Sequence, residues 1–208
     1  MEKESPAVGE AAPRDPAWKR GTRAADLMAV VLSALLLTAA APPFDQGWLG
    51  WIAVAPFFWA LLRATSGSNR GAAGRGFLHG FCYLLLLVPW FAAFTPLGYP
   101  VAAAYWGLLS AVAAVVVVAA LRRAPGVLAA PLLAAGWTVL EWLRAQGPLA
   151  FPWGALANTQ HRNLIVLQML DVTGAYGLSF LMALVSASLA VWVTEARRAP
   201  VDPRTGPP

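Results

Sequence analysis

LMAVVLSALLLTAAA, Leu27–Ala41, runs without a charge and stops at Pro42-Pro43-Phe44-Asp45-Gln46-Gly47, after which a second apolar run, Trp48–Leu62, begins at once. Two prolines and a Gly-containing turn cannot continue a helix, so the two runs read as a helical hairpin. Each is slightly shorter than the roughly 20 residues that cross a hydrocarbon core, which places Pro42 and Phe44 at interfacial depth. The rest of the 208 residues agrees with this reading. Hydrophobic residues make up 59% and charged ones 12%, and the mean hydropathy is +0.60. A soluble domain needs roughly a quarter of its residues charged to cover its surface, so a membrane protein is predicted.

Four further spans follow. The third is predicted over Phe77–Phe94, the fourth over Val101–Leu121, the fifth over Val127–Leu143 and the sixth over Gly174–Thr194. Residues 146–171 are too polar to span and too rich in Phe, Trp and Leu for a free loop, so they are predicted to lie on the membrane surface. The fold class is thus an all-α polytopic membrane protein of about six transmembrane helices, with an interfacial segment between spans five and six. Residues 1–25 and 196–208, rich in Pro and charge, read as disordered tails around a transmembrane domain over 26–195.

Arginine placement tests the six spans. Lys19, Arg20, Arg23, Arg63, Arg70, Arg75, Arg122, Arg123, Arg197 and Arg198 fall on one side, against Arg144 and Arg162 on the other. The excess assigns both termini to the cytoplasm and puts residues 42–47, 95–100 and 146–171 outside. The net charge of +5 is therefore a topology signal rather than an affinity for nucleic acid, and none is expected as a partner. Basic residues before a run ending Ala39-Ala40-Ala41 also fit a secretory leader with an A-x-A site. The second span that follows immediately favours a retained first helix.

Chemistry-bearing residues are few. Cys82 is the single cysteine, so no disulfide or thiolate cluster forms within the chain, and it reads as a small buried hydrophobe. His79 reads as a snorkelling or bundle-satisfied imidazole, and His161 lies across the membrane from it, so no metal site is predicted. Glu141 and Arg144, three residues apart at the outer end of span five, share a helical face. They read as a structural ion pair or as a site meeting lipid headgroups. Gly76-x-x-x-Gly80 and Gly174-x-x-Gly177 hint at close helix packing. The spans hold too few charges to favour a transporter, which remains a minor alternative.

Particular strings carry more than composition. Ala41-Pro42-Pro43-Phe44-Asp45 with Trp48 and Ala55-Pro56, Gly76-Phe77-x-x-Gly80-Phe81 followed by Trp90, Glu141-Trp142-Leu143-Arg144, Phe151-Pro152-Trp153, and Gly174-Ala175-Tyr176-Gly177-Leu178-Ser179-Phe180 occur in this order. In that order they resemble the membrane domain of bacterial apolipoprotein N-acyltransferases, over roughly Asp26–Thr194. The resemblance implies an enzyme family of the bacterial cytoplasmic membrane that moves an acyl chain from a phospholipid to the amino terminus of a diacylated lipoprotein. In that family a Glu, Lys and Cys triad in a nitrilase-like domain acts through a thioester. That domain has no counterpart here, and Cys82 is misplaced for its nucleophile, so no catalytic residue and no cofactor are assigned. The expectation is the membrane part of such an enzyme, not catalytic alone, either truncated or partnered by a separately encoded nitrilase-like domain. The alternative is a non-catalytic lipid-binding or scaffold protein. Glu141, Arg144, Phe151, Pro152 and Trp153 are expected to form the outer rim that receives phospholipid. In the rival reading, Glu141 and Arg144 pair with each other while Phe151 and Trp153 anchor the segment.

Overall fold

A computed structural model of the chain describes residues 23–124, 126–147 and 150–198. Most of both predicted tails lies outside these residues; within them, Arg23, Ala24 and Ala25 already belong to the first helix and Ala196 closes the last. The order is α1 (Arg23–Ala40), a 3-10 turn (Gly47–Trp51), α2 (Ala55–Ala64), α3 (Asn69–Leu87), the one-turn α4 (Phe91–Phe94), α5 (Gly98–Leu121), a 3-10 turn (Gly126–Leu128), α6 (Ala129–Arg144), a 3-10 turn (Leu156–Gln160), the one-turn α7 (Leu164–Leu167) and α8 (Leu170–Ala196). No strand occurs among the described residues. The chain is an all-α, multi-pass membrane protein. Five segments are long and apolar enough to cross a membrane: Arg23–Ala40, Gly47–Ala64, Gly98–Leu121, Gly126–Arg144 and Leu170–Ala196.

The predicted third span needs correction at both ends. Its helix, α3, begins at Asn69 and carries Arg70 and Arg75 in its first two turns, so it falls outside those five. It stops at Leu87 rather than Phe94, because Pro89 withholds a backbone N–H and α4 starts separately after it. Even so, α3 packs inside the bundle against α1 and α5. Its start is set by Ser68, whose hydroxyl accepts from the Gly71 N–H at 3.3 Å.

Small residues make the α3–α5 seam. A Cβ on Gly76 would meet the Ser110 carbonyl of α5, and one on Gly80 would meet Ser110 and the Trp106 carbonyl, so the two backbones touch where only hydrogen fits. The other predicted small-residue pair behaves differently. Gly174 has open space around it and sits at φ 65°, where α8 kinks, while a Cβ on Gly177 would first meet Thr173 of its own helix.

The arginine-rich end is tied together by side chains. Asp26 of α1 is buried and accepts from Arg63 at 2.7 Å and from Arg75. Arg122, just past α5, donates to the carbonyls of Thr65 (3.0 Å), Ala64 (3.2 Å) and Gly67 (2.6 Å), satisfying groups that the end of α2 leaves open. In the interior, His79 stacks on Phe57 with ring centroids 4.1 Å apart and lies 3.1 Å from the Ser33 hydroxyl, so the bundle satisfies it and snorkelling does not apply. Cys82 is half-buried rather than enclosed, at the edge of the core.

Candidate functional site

The segment between α6 and α8 departs from a strip lying on the surface. Its middle turns into the bundle, with Leu156, Ala157, Thr159 and Gln160 buried. Such a turn carries backbone N–H groups into an apolar interior, where each needs an acceptor. Glu141 supplies one: its Oε1 accepts from the Leu156 N–H at 2.8 Å and from the Trp137 indole at 2.7 Å. The Ser179 hydroxyl of α8 accepts from the Ala157 N–H at 3.1 Å. Gln160 donates to the Gly47 carbonyl at 2.6 Å and accepts from Trp51 at 3.3 Å. Outside these, Arg162 meets Asp45 at 2.7 Å and clasps the segment to the α1–α2 turn.

Toward α3 the same segment forms an aromatic wall. Phe151 is half-buried, and Pro152 and Trp153 are exposed. The Phe151 ring meets Trp106 at 5.4 Å and Trp153 at 4.7 Å between centroids, both edge-to-face, and Trp153 meets Trp90 at 5.6 Å. The Tyr83 hydroxyl donates to the Gly154 carbonyl at 2.9 Å, holding the wall to α3. Below it a groove of about 330 Å³ opens between α3, α4 and α5, lined by Leu84, Val88, Phe91, Tyr105, Trp106 and Phe151 among others. This volume lies in the roughly 300–1,000 Å³ range of small-ligand sites.

Arg144 touches two neighbouring members of that wall, Trp106 and Phe151. Its guanidinium carbon lies 4.2 Å from the Trp106 ring centre, and its carbonyl accepts from the Phe151 N–H at 2.7 Å. Arg144 is only 4% exposed, yet its Nε has no hydrogen-bond partner, and neither has Glu141 Oε2. No hydrogen bond or ion pair joins the two side chains: the carboxylate faces the Leu156 turn, and the guanidinium faces Trp106. Their direct contacts therefore go to separate partners, while the two opposite charges, one turn apart on α6, still attract each other. A cation over an indole face is attracted by the ring quadrupole while its N–H edges stay able to take an anion.

Of the five expected rim residues, Arg144, Phe151 and Trp153 are linked in series through the Arg144 carbonyl and the Phe151 ring, Pro152 is exposed between the two aromatic residues, and Glu141 faces the Leu156 turn instead. Sequence reasoning missed Tyr83, Trp106 and the groove-lining residues of α3 and α4, because they come from helices distant in sequence and carry no motif among themselves. Among the described residues, no three of His, Cys, Asp and Glu converge as metal ligands.

Residues 33–188 match the family model of the apolipoprotein N-acyltransferase N-terminal domain. An apolipoprotein N-acyltransferase of Geobacter metallireducens is 35% identical, over 79% of this chain and 33% of its own length. Those of Gloeobacter violaceus (32% identical; 80% of this chain, 34% of the relative) and Rhodopseudomonas palustris (30% identical; 87% and 35%) align similarly. The chain spans about a third of the length of these curated relatives.

Proposed function

The chain belongs to the apolipoprotein N-acyltransferase family, matched through the N-terminal domain, and from that premise we propose that it is the part that receives phospholipid for acyl transfer to a lipoprotein amino terminus. The groove beside Arg144 takes an acyl chain, and the guanidinium takes the phosphate. The observation that carries this reading is a buried guanidinium with an unpartnered Nε, set over the ring of Trp106, which lines an apolar groove together with Phe151. A phosphate would meet the fork of N–H donors, and the chain's methylene groups would lie along Phe91, Tyr105 and Trp106.

In this proposal the rim faces outward from the bacterial cytoplasmic membrane, with both termini inside, a reading that the arginine distribution supports. The acyl-transfer step belongs to a nitrilase-like domain, in the same polypeptide or separately encoded. The 208-residue chain supplies one thiol, Cys82, on α3, with no carboxylate or ammonium bonded to it among the described residues. By itself the chain is expected to bind phospholipid but to form no acyl thioester.

Substitution at the rim tests the reading. Arg144→Gln and Trp153→Ala are each expected to weaken phospholipid binding to the folded protein about tenfold, the order of one charge-assisted contact. Arg144→Gln should lower the unfolding temperature in detergent less than it lowers binding, because relief of a buried charge offsets the loss of its attraction to Trp106 and Glu141. If both variants lose stability in step with binding, Arg144 and Trp153 are struts and the lipid site lies elsewhere. Acyl capture at Cys82 that disappears in Cys82→Ser would overturn the division of labour.

A further inference from the structure

A second groove, of about 340 Å³, runs between α1, α2 and α8, lined by Ala29, Leu36, Trp59, Leu189, Val193 and Arg197 among others. It lies at the opposite end of the bundle from Arg144, beside the cluster of Asp26, Arg63 and Arg75. Its wall is apolar from Leu36 to Ala29, seven residues of α1 or about 10 Å of depth. At the mouth one indole carries two guanidiniums: Arg63 lies 4.9 Å and Arg197 5.3 Å from the Trp59 ring centre. We propose that this groove holds an acyl chain of an anionic phospholipid whose phosphate is taken by Arg197.

Charge decides the headgroup. Arg63 is bonded to Asp26, which also accepts from Arg75, so that carboxylate is shared by two guanidiniums. Arg197 is exposed in the turn after α8 and bonds no carboxylate among the described residues. The neighbouring acid, Glu195, stands two residues away, and residues at that spacing do not face each other on a helix. Stacking on Trp59 leaves the guanidinium N–H edge free for a phosphate. A zwitterionic headgroup would bring its own ammonium beside Arg63 and Arg197, whereas an anionic one would not. Basic pockets between transmembrane helices select anionic headgroups on this ground. Neither the rim site nor the acyl-transfer reading is needed for this second site.

The test is native mass spectrometry of the full chain in mild detergent with phosphatidylglycerol or phosphatidylcholine of identical acyl chains. Wild type is expected to retain phosphatidylglycerol preferentially. Arg197→Gln should weaken that retention about fivefold, the effect of one basic residue at a membrane surface, and leave phosphatidylcholine unchanged. Leu189→Trp, at a partly exposed groove position, should lower retention of both lipids by filling the slot. Arg162→Gln, at the other end, should change neither, and the Arg197 effect should persist in an Arg144→Gln background. Equal retention of the two lipids, an Arg197→Gln protein that binds phosphatidylglycerol like wild type, or displacement by inorganic phosphate with Leu189→Trp silent would each overturn the proposal. Both variants sit at accessible positions, and unchanged helical circular dichroism confirms that the fold persists; if Leu189→Trp misfolds, Arg197→Gln alone decides.

Discussion

At the residue scale, Glu141 shows how a costly group can hold a membrane-embedded turn. A carboxylate at the end of a spanning helix is expensive to bury, and Glu141 is 3% exposed. It is retained by two donors, the Trp137 indole and the Leu156 N–H. Glu141→Ala would strand both, at about 1–3 kcal/mol for each unsatisfied buried donor. The expected outcome is a lower unfolding temperature in detergent and faster proteolysis within residues 150–163. Glu141→Gln keeps an acceptor oxygen and should retain most of the stability, which separates the hydrogen bonds from the charge. The sequence showed that Glu141 and Arg144 share a face, but not that the carboxylate's partner would be a backbone group fifteen residues further on. An irregular turn has no periodicity to announce it.

At the scale of elements, the α3–α5 seam has a sequence signal that proved physical. Gly76 and Gly80 present hydrogen to the α5 backbone, and the seam brings Tyr83 and Trp106, one on each helix, to 6.2 Å between ring centroids. Gly80→Val is expected to force the helices apart, costing about 1–3 kcal/mol or more through overpacking, and to widen the groove at Trp106. Gly74→Ala lies on the same helix with nothing within contact range of the new methyl. It should be neutral, or stabilising by up to about 1 kcal/mol through helix propensity. Thermal unfolding of the two variants side by side checks the contrast; equal effects would mean that the seam is not sterically tight. The ends of α3 were less legible. A hydropathy window starts at Phe77, whereas the helix starts where Ser68 caps it and ends before Pro89 because the backbone runs out of donors.

At the scale of the whole molecule, the contacts of Arg63, Arg75, Arg122 and Arg197 bind the ends of α1, α2, α3, α5 and α8 into one layer. The other end is closed by the Glu141 turn and the Asp45–Arg162 clasp. The charge asymmetry predicts which layer faces the cytoplasm. In a Cys82→Ala background, a membrane-impermeant thiol reagent added to intact cells should label Asn163→Cys and spare Ser66→Cys, both at exposed positions. Labelling in the reverse pattern would invert the topology and place the Arg144 groove on the inner side.

Composition and the lengths of the charge-free runs were enough to determine a helical membrane bundle, because the cost of polar groups in hydrocarbon acts locally, residue by residue; the family came from the resemblance carried by the ordered strings, from Ala41-Pro42-Pro43-Phe44-Asp45 to Gly174–Phe180. The turn at Pro42-Pro43 and the glycine seam were equally readable, since a missing donor and a missing side chain act where they stand. Tertiary structure alone decided that Arg144 lies on Trp106, that the 150–163 segment folds inward and that two grooves open at opposite ends. Each depends on surfaces from helices far apart in the chain, and close packing of such surfaces is a property of their mutual placement that no single run of sequence contains.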